Sequence, residues 1–313
     1  MKKRRTVAIL GAGMAGATAA RMLADAGLTV QVFDKGRAVG GRMATRRSAS
    51  LQFDHGAQFM RARGSAFAAR LAAWEKRGIV APWVGSERWV GVPDMTAPVG
   101  DLLAGLSVQS ATTITRIRRD DGAWYLDDAG GGVHGPFGAV AITFPAPQTA
   151  ALLDGSGYAL ADVGRASYAP CWSVMLAAEG GLTGGLIEPR EDPVGLIASD
   201  ASKPGRPEGV RLTIHATAGW SRRHLEEPRE TIIASLIEAA ARQLRVSLRP
   251  THAEAHRWRY AQVETALDVA SLYDPALGLG AAGDWCLGAR IEAAHDSGAA
   301  LARTIAADLN GDA

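Results

Sequence analysis

The unbroken apolar run Val7-Ala8-Ile9-Leu10 has the pattern of a strand covered on both faces, and Gly11 to Gly16 (GAGMAG) interrupts it at once. Alanine-rich sequence at helical spacing follows to Ala26, with Gly27 as the stop signal. Leu28 to Phe33 predicts a second strand, and Asp34 stands at its end. Leu106 to Ile117 (LSVQSATTITRI) reads as a strand pair, and Ala139 to Phe144 as another buried strand that leaves through Pro145. Farther along, Leu279 to Asp284 closes a strand, and Arg290 to Ala294 opens a last helix. Between these lie strand patterns at Cys171 to Ala177, Val210 to Ala216 and Ala253 to Tyr260. The stretch Asp200 to Gly209 (DASKPGRPEG) predicts an exposed loop. The fold class expected is α/β.

Strand, glycine turn, helix, second strand and acid together form a dinucleotide-binding arrangement. Gly11 permits the tight turn, Gly13 lets the backbone approach a pyrophosphate, and Gly16 lets helix and strand pack closely. Ala12, Met14 and Ala15 count with them as cofactor-binding residues, because the helix start presents N–H groups and partial positive charge to phosphate. Asp34, with Lys35 beside it, can accept hydrogen bonds from ribose hydroxyls and would repel a 2′-phosphate. A competing reading of this region is a secretory or twin-arginine signal, since Lys2-Lys3-Arg4-Arg5 precedes an apolar run to Ala20. Cleavage after Ala15 would destroy the motif that the following residues complete. The buried strand is therefore favoured, and a cytoplasmic location expected.

Gly40-Gly41-Arg42-Met43 resembles the Gly-Gly-Arg segment of the flavin amine oxidase superfamily, which closes over the pyrophosphate of FAD. The resemblance implies phosphate contacts from Gly41 and from the guanidinium fork of Arg42, with Met43 adjoining. By the same resemblance Val108 meets the adenine through its backbone, and Gly283 and Asp284 lie near the ribityl and phosphate. The helix start at Ile291 and Glu292 would face the flavin's pyrimidine carbonyl. Phe53-Asp54-His55-Gly56-Ala57-Gln58-Phe59 resembles the Asp-x-Gly-Ala-Gln-aromatic segment of renalases, which passes alongside the isoalloxazine. That implies cofactor contacts from His55, Gly56, Ala57 and Gln58. Similar to bacterial renalases, too, are Arg88 to Gly91, Thr213 to Thr217 with Trp220-Ser221, His256 to Trp258 with Tyr260, and Gly283 to Cys286. His55 departs from the family, which more often has an apolar residue there. A space-filling histidine accounts for it, so it receives no catalytic part. The loop between Val84 and Asp101 is also short for the family.

The resemblance to bacterial renalases covers nearly the whole chain. It implies a Rossmann-like, doubly wound FAD-binding domain plus an α+β substrate domain with an antiparallel sheet, an architecture like that of amine oxidases and p-hydroxybenzoate hydroxylase. Cofactor motifs at both ends and in the middle make the FAD domain discontinuous, at residues 1–60, 96–155 and 268–313. Residues 61–95 and 156–267 form the substrate domain. The implied reaction is oxidation of 2-dihydro and 6-dihydro isomers of NAD(P)H to NAD(P)+ by hydride transfer to flavin N5, with molecular oxygen reduced to hydrogen peroxide. Such a dihydropyridine becomes aromatic on losing hydride alone, so no side-chain base is assigned. Candidates for the substrate walls are Gln58, His215, Trp258, Tyr260 and Trp285, within a wider aromatic set of Trp83, Trp89, Tyr168, Trp172 and Trp220. His256, Trp258 and Tyr260 alternate and so share one strand face, opposite Arg257 and Arg259.

Charge narrows the partners. The 34 basic and 32 acidic side chains leave a net charge of +2, too small an excess for an electrostatic nucleic-acid binder. A chain of 313 residues with 47% hydrophobic positions can bury the cores of two domains, and no stretch reaches the roughly 20 apolar residues of a membrane span. Cys171 and Cys286 cannot form a disulfide framework, lack metal-ligand spacing, and sit in no segment resembling those that bind flavin covalently. Noncovalent FAD is expected, and no metal. Only five basic residues are lysines: Lys2, Lys3, Lys35, Lys76 and Lys203. Amine oxidases of the superfamily typically hold a lysine near flavin N5 through a water. Here the only lysine beyond residue 76 lies in a Gly/Pro loop, which counts against an amine oxidase, the main alternative. A desaturase and a flavin-binding protein without turnover are the others.

Overall fold

The computed structural model describes residues 5–48, 51–85, 87–180 and 184–311, so the basic run Lys2 to Arg4 lies outside the described residues. The chain divides into two units. The first comprises Met1–Gly41, Val99–Ser167 and Val263–Ala313, and the second Arg42–Pro98 and Tyr168–Gln262.

In the first unit a six-stranded sheet runs in the spatial order Leu272–Asp274, Leu279–Ala281, Ala139–Ile142, Thr6–Leu10, Thr29–Phe33 and Ser107–Gln109. All neighbours pair in parallel except the edge strand Leu272–Asp274, which is antiparallel. The apolar runs explain this placement: Val7 to Leu10 and Ala139 to Ile142 are fully buried, as strands covered on both faces must be. The first helix, Met14–Asp25, packs against the last, Ile291–Asn310. Small residues permit the contact, because a Cβ on Gly298 would stand 2.2 Å from the Ala15 carbonyl oxygen. Leu106 to Ile117 is not a strand pair within one sheet. Ser107–Gln109 joins the parallel sheet, whereas Ile114–Asp120 turns away into a three-stranded antiparallel sheet with Ala123–Asp128 and Val133–Phe137. Buried Trp124 draws the chain there, its indole donating to the Leu277 carbonyl at 2.8 Å.

The second unit is built on a five-stranded sheet in the order Leu186–Ile187, Val194–Ser199, Val210–Ala216, Ser167–Glu179 and Arg249–Thr265. Its first four strands pair antiparallel. Helix Arg229–Leu244 lays Ile232, Leu236, Ala239 and Ala240 on a core that includes Trp172, Leu176, Leu212 and Trp220. Full burial of the larger side chains there, such as Ile232, Leu236 and Leu212, contributes about 1.5–3 kcal/mol each. Residues 42–60 were expected in the cofactor unit, but they belong to this one. The hairpin Thr45–Ser48 and Leu51–Asp54, with the turn after it, is bonded to Asp200, Lys203, Arg206, His215 and Trp258. The Asp200 to Gly209 segment also differs from expectation. Pro207 to Gly209 are exposed, but Asp200 and Lys203 are each 2% exposed, because opposite charges pair there. Among the described residues no helix is long and apolar enough to cross a membrane.

Candidate functional site

The register of the parallel sheet brings Gln109, Phe33, Leu10, Ile142 and Ala281 into one row across neighbouring strands. The predicted dinucleotide residues cluster at this row. Gly11 follows Leu10, Asp34 follows Phe33, Val108 precedes Gln109, and Gly283 and Asp284 come just after Ala281. The carboxyl ends of parallel strands are where open α/β sheets bind ligands.

Each glycine of the turn answers a different steric demand. Gly11 has φ +112°, a conformation that L side chains rarely adopt. A Cβ on Gly16 would lie 1.9 Å from the Gly11 carbonyl oxygen, so helix and turn could not close with any larger residue. At Gly13 a Cβ would meet nothing within 4 Å. The helix that Gly13 caps has no side-chain cap, so its first N–H groups depend on a partner from outside the helix. An uncapped helix start with open space over its glycine fits an anionic group such as a pyrophosphate.

Asp34 ties this turn together. One carboxylate oxygen accepts from the Ala12 N–H and the other from the Gly36 N–H, each at 2.6 Å. The loop after it folds back, with the Gly40 N–H donating to the Ala12 carbonyl at 2.9 Å. Gly41 has φ +54°, and a Cβ there would lie 3.3 Å from the Gly13 Cα. Lys35 is exposed. Gly283 donates its N–H to Ser297 Oγ at 3.0 Å, Asp284 and Glu292 are buried, and Ile291 begins the last helix.

In the second unit Arg42 donates to the Ala261 carbonyl at 3.2 Å and stands 5.7 Å over the Tyr168 ring, and Met43 is buried. The Arg42 carbonyl accepts the Ala57 N–H at 2.9 Å, and a Cβ on Gly56 would lie 2.1 Å from that oxygen. Trp258 and His215 both reach the His55 carbonyl, at 3.0 and 3.3 Å. The His55 ring is tilted over Trp258 and edge-on to His256, with centroids 5.0 Å apart in both cases. Its Nδ1 is buried without a partner. Burial, reinforced by His256 and Arg46, pulls the His55 imidazole down to about 3. Burial likewise brings His215 and His256 down to about 4. All three are neutral at neutral pH. His256 accepts from Arg46 through Nδ1 at 3.2 Å, and Tyr260 meets Tyr168 edge-on at 5.7 Å. One half-buried face of strand Arg249–Thr265 thus carries His256, Trp258 and Tyr260, while Arg257 and Arg259 both pair with Glu226.

Sequence reasoning missed the charged cluster bonded to the same turn. Asp54 Oδ1 accepts from Thr45 Oγ1 at 2.7 Å and the Met95 N–H at 3.1 Å. Asp54 Oδ2 accepts from Lys203 at 3.1 Å and from Arg206 at 2.6 and 3.2 Å. Lys203 also donates to Gln58 Oε1 at 2.7 Å and to Asp200 Oδ1 at 2.6 Å. Burial alone would raise the Asp54 carboxyl, but Lys203 and Arg206 overcome it and hold the group well below the usual carboxylate range. Burial, with Asp54 nearby, pushes Asp200 upward against the pull of Lys203. Gln58 donates to the carbonyls of Gly56, at 2.9 Å, and of Asp54.

Several expected wall residues are unavailable to a ligand. Trp285 is fully buried in the first unit, and its one donor is satisfied by the Phe144 carbonyl at 3.0 Å. Trp172 and Trp220 belong to the hydrophobic core of the second unit, and Trp83 is buried with its indole bonded to Ser202. Spacing alone cannot distinguish such core indoles from a ligand wall. Among the described residues no group of His, Cys, Asp or Glu could hold a metal ion.

Residues 9–76 match the family model of the NAD(P)-binding Rossmann-like domain. The fold is similar to that of a protein from Exiguobacterium sp. 255-15 described as "Putative protoporphyrinogen oxidase", with TM-score 0.77 and 12% identity over 98% of this chain and 99% of that one. It is also similar to an oxidoreductase from Methanosarcina mazei, with TM-score 0.68 and 13% identity over 95% of this chain and 99% of that one. At these identities the likeness is one of fold. The α/β architecture with a Rossmann-like unit and a separate antiparallel-sheet unit is established.

Proposed function

We propose that this chain is an FAD-dependent oxidoreductase of the renalase type, oxidising 2-dihydro and 6-dihydro isomers of NAD(P)H to NAD(P)+ and passing the electrons to molecular oxygen. The observation that carries a dinucleotide cofactor is the uncapped helix start at Gly13, open above its glycine and flanked by Asp34. When bound, FAD supplies a ring that accepts hydride and can be reoxidised by oxygen to give hydrogen peroxide. The resemblance of the Asp54 to Gln58 turn to the renalase segment would set that turn beside the ring. Oxidoreductases among proteins of this fold support an enzyme.

The residues of the second unit suit hydride loss better than proton abstraction. Its three clustered histidines are neutral, and a half-buried aromatic face carries Trp258 and Tyr260, which suits a flat dihydropyridine. Amine oxidases of the superfamily typically call on a lysine. Lys203 is the only buried lysine among the described residues, and its three N–H bonds are committed to Asp54, Asp200 and Gln58.

The test is to mix the purified, flavin-loaded protein anaerobically with isomerised NADH, and separately with a panel of primary and secondary amines, following flavin absorbance. Rapid bleaching by the isomers alone is expected. Bleaching by amines alone would make it an amine oxidase, and bleaching by neither would leave a flavin-binding protein without this turnover.

A further inference from the structure

His55 to Phe59 form neither helix nor strand, yet side chains from distant parts of the second unit fix this turn. An ammonium has three protons, and those of Lys203 go to Asp54, Gln58 and Asp200. Nothing remains for a ligand. A buried lysine is costly even when paired, so its position calls for an explanation beyond charge balance.

The Gln58 amide supplies it. With Oε1 against the ammonium, Nε2 must face the other way, toward the carbonyls of Asp54 and Gly56. A flipped amide would set its N–H groups against the ammonium and its oxygen against two carbonyl oxygens. Lys203 therefore decides the amide's direction, and the amide curls the turn by drawing two of its carbonyls together. The His55 carbonyl is left to Trp258 and His215. Asp54, at the start of the turn, is held by Lys203 and Arg206, and its N–H donates to Asp200 at 3.1 Å.

We propose that Lys203 is a positioning residue: its ammonium sets the Gln58 amide and the Asp54 carboxylate, and through them the course of the 55–58 turn, without touching a ligand. The consequence for the reaction rests on the proposed function, in which this turn flanks the flavin ring.

The experiment uses Lys203→Met combined with Asp200→Asn, which removes one charge of each sign and leaves the Asp54–Arg206 pair in place. Gln58→Met is the second variant and changes no charge. Hydrogen exchange of apoprotein peptides spanning residues 53–60 should quicken at least about tenfold in both, while strand Val210–Ala216 keeps its protection. In the flavin-loaded protein the visible bands should change shape. Flavin reduction by isomerised NADH at saturation should slow by more than about tenfold, with the half-saturating concentration nearly unchanged, since misplacement of reacting groups falls on the chemical step. Unchanged exchange in the folded double variant overturns the proposal, and where that variant does not fold, unchanged exchange in Gln58→Met does so. Faster exchange with wild-type flavin bands and rate supports Lys203 as the anchor of the turn and overturns instead the reading that the turn flanks the ring.

Discussion

Substituting alanine at two glycines three residues apart should separate binding from folding. At Gly13 the backbone has φ −84° and ψ −174°, which alanine adopts without strain, and the new Cβ meets nothing within 4 Å. Alanine is a poorer helix cap than glycine but lowers the entropy of the unfolded chain, so the apoprotein should stay within about 1 kcal/mol of wild type. The methyl nevertheless fills the space through which a pyrophosphate would approach the helix start. Losing one charge-assisted hydrogen bond to phosphate there costs about 1.5–3 kcal/mol, or roughly ten- to a hundredfold in FAD affinity. At Gly16 the balance reverses. Its Cβ would lie 1.9 Å from the Gly11 carbonyl oxygen and 2.7 Å from Thr143 Oγ1, so backbone must move. Overpacking of this kind costs about 1–3 kcal/mol or more, against a helix-propensity gain of at most about 1 kcal/mol. Urea unfolding of the apoproteins and FAD titration by flavin fluorescence measure the two quantities separately. Wild-type FAD affinity in Gly13→Ala, or greater destabilisation at Gly13 than at Gly16, would refute the reasoning.

Asp34→Ala should weaken FAD binding by roughly ten- to a hundredfold, because the carboxylate that can meet a ribose also holds the Ala12 and Gly36 N–H groups; full flavin occupancy on dilution would remove that role. Trp258→Ala should slow flavin reduction by dihydropyridine isomers at least about tenfold in stopped flow, with FAD affinity little changed; equal losses in both would place the indole outside the substrate wall. Stability should fall on the acid side. His55, His215 and His256 have folded values of about 3, 4 and 4 against an ordinary 6.5, so the unfolded chain protonates first; their contribution is complete above pH 6.5 and lost as pH falls toward 4. Asp54, held low in the folded state, adds a further loss below its ordinary value of 3.8. Thermal melts from pH 7.5 to 4.5 should show the decline, and a flat profile would count against neutral buried histidines.

What the sequence made legible was what neighbouring residues decide. The turn from Gly11 to Gly16, the strands on either side of its helix and Asp34 lie within thirty residues, and local sterics alone assign them. The alternation of His256, Trp258 and Tyr260 likewise needs only the period of a strand. The cluster at Asp54 was illegible because its partners stand 149 and 152 residues away, and the segment that supplies them has the glycine and proline content of a surface loop. Pairing overrode composition there: a lysine and an arginine that would otherwise be solvated are buried by two carboxylates. Trp285 failed for the opposite reason. As one aromatic in a renalase-like segment it is a candidate for a ligand wall, but it is fully buried and one backbone carbonyl satisfies its indole, which leaves a core residue.

The two kinds of polar group in the second unit bear together on the chemistry proposed for it. Around the Asp54 to Gln58 turn the formal charges are balanced and mutually bonded, and the histidines beside them are neutral. A general base near neutral pH needs a value near that pH and an unspent lone pair. The His256 Nδ1 lone pair accepts from Arg46, the Lys203 protons are spent, and the Asp54 carboxylate is held low by two cations. His55 Nδ1 is buried and unpartnered, but with a value near 3 it is too weak a base to take a proton efficiently at neutral pH. Oxidation by loss of a proton would find little help in such surroundings. Oxidation by loss of hydride asks only that a ring be held in place and kept from water, which packed aromatic side chains and a pinned turn can provide.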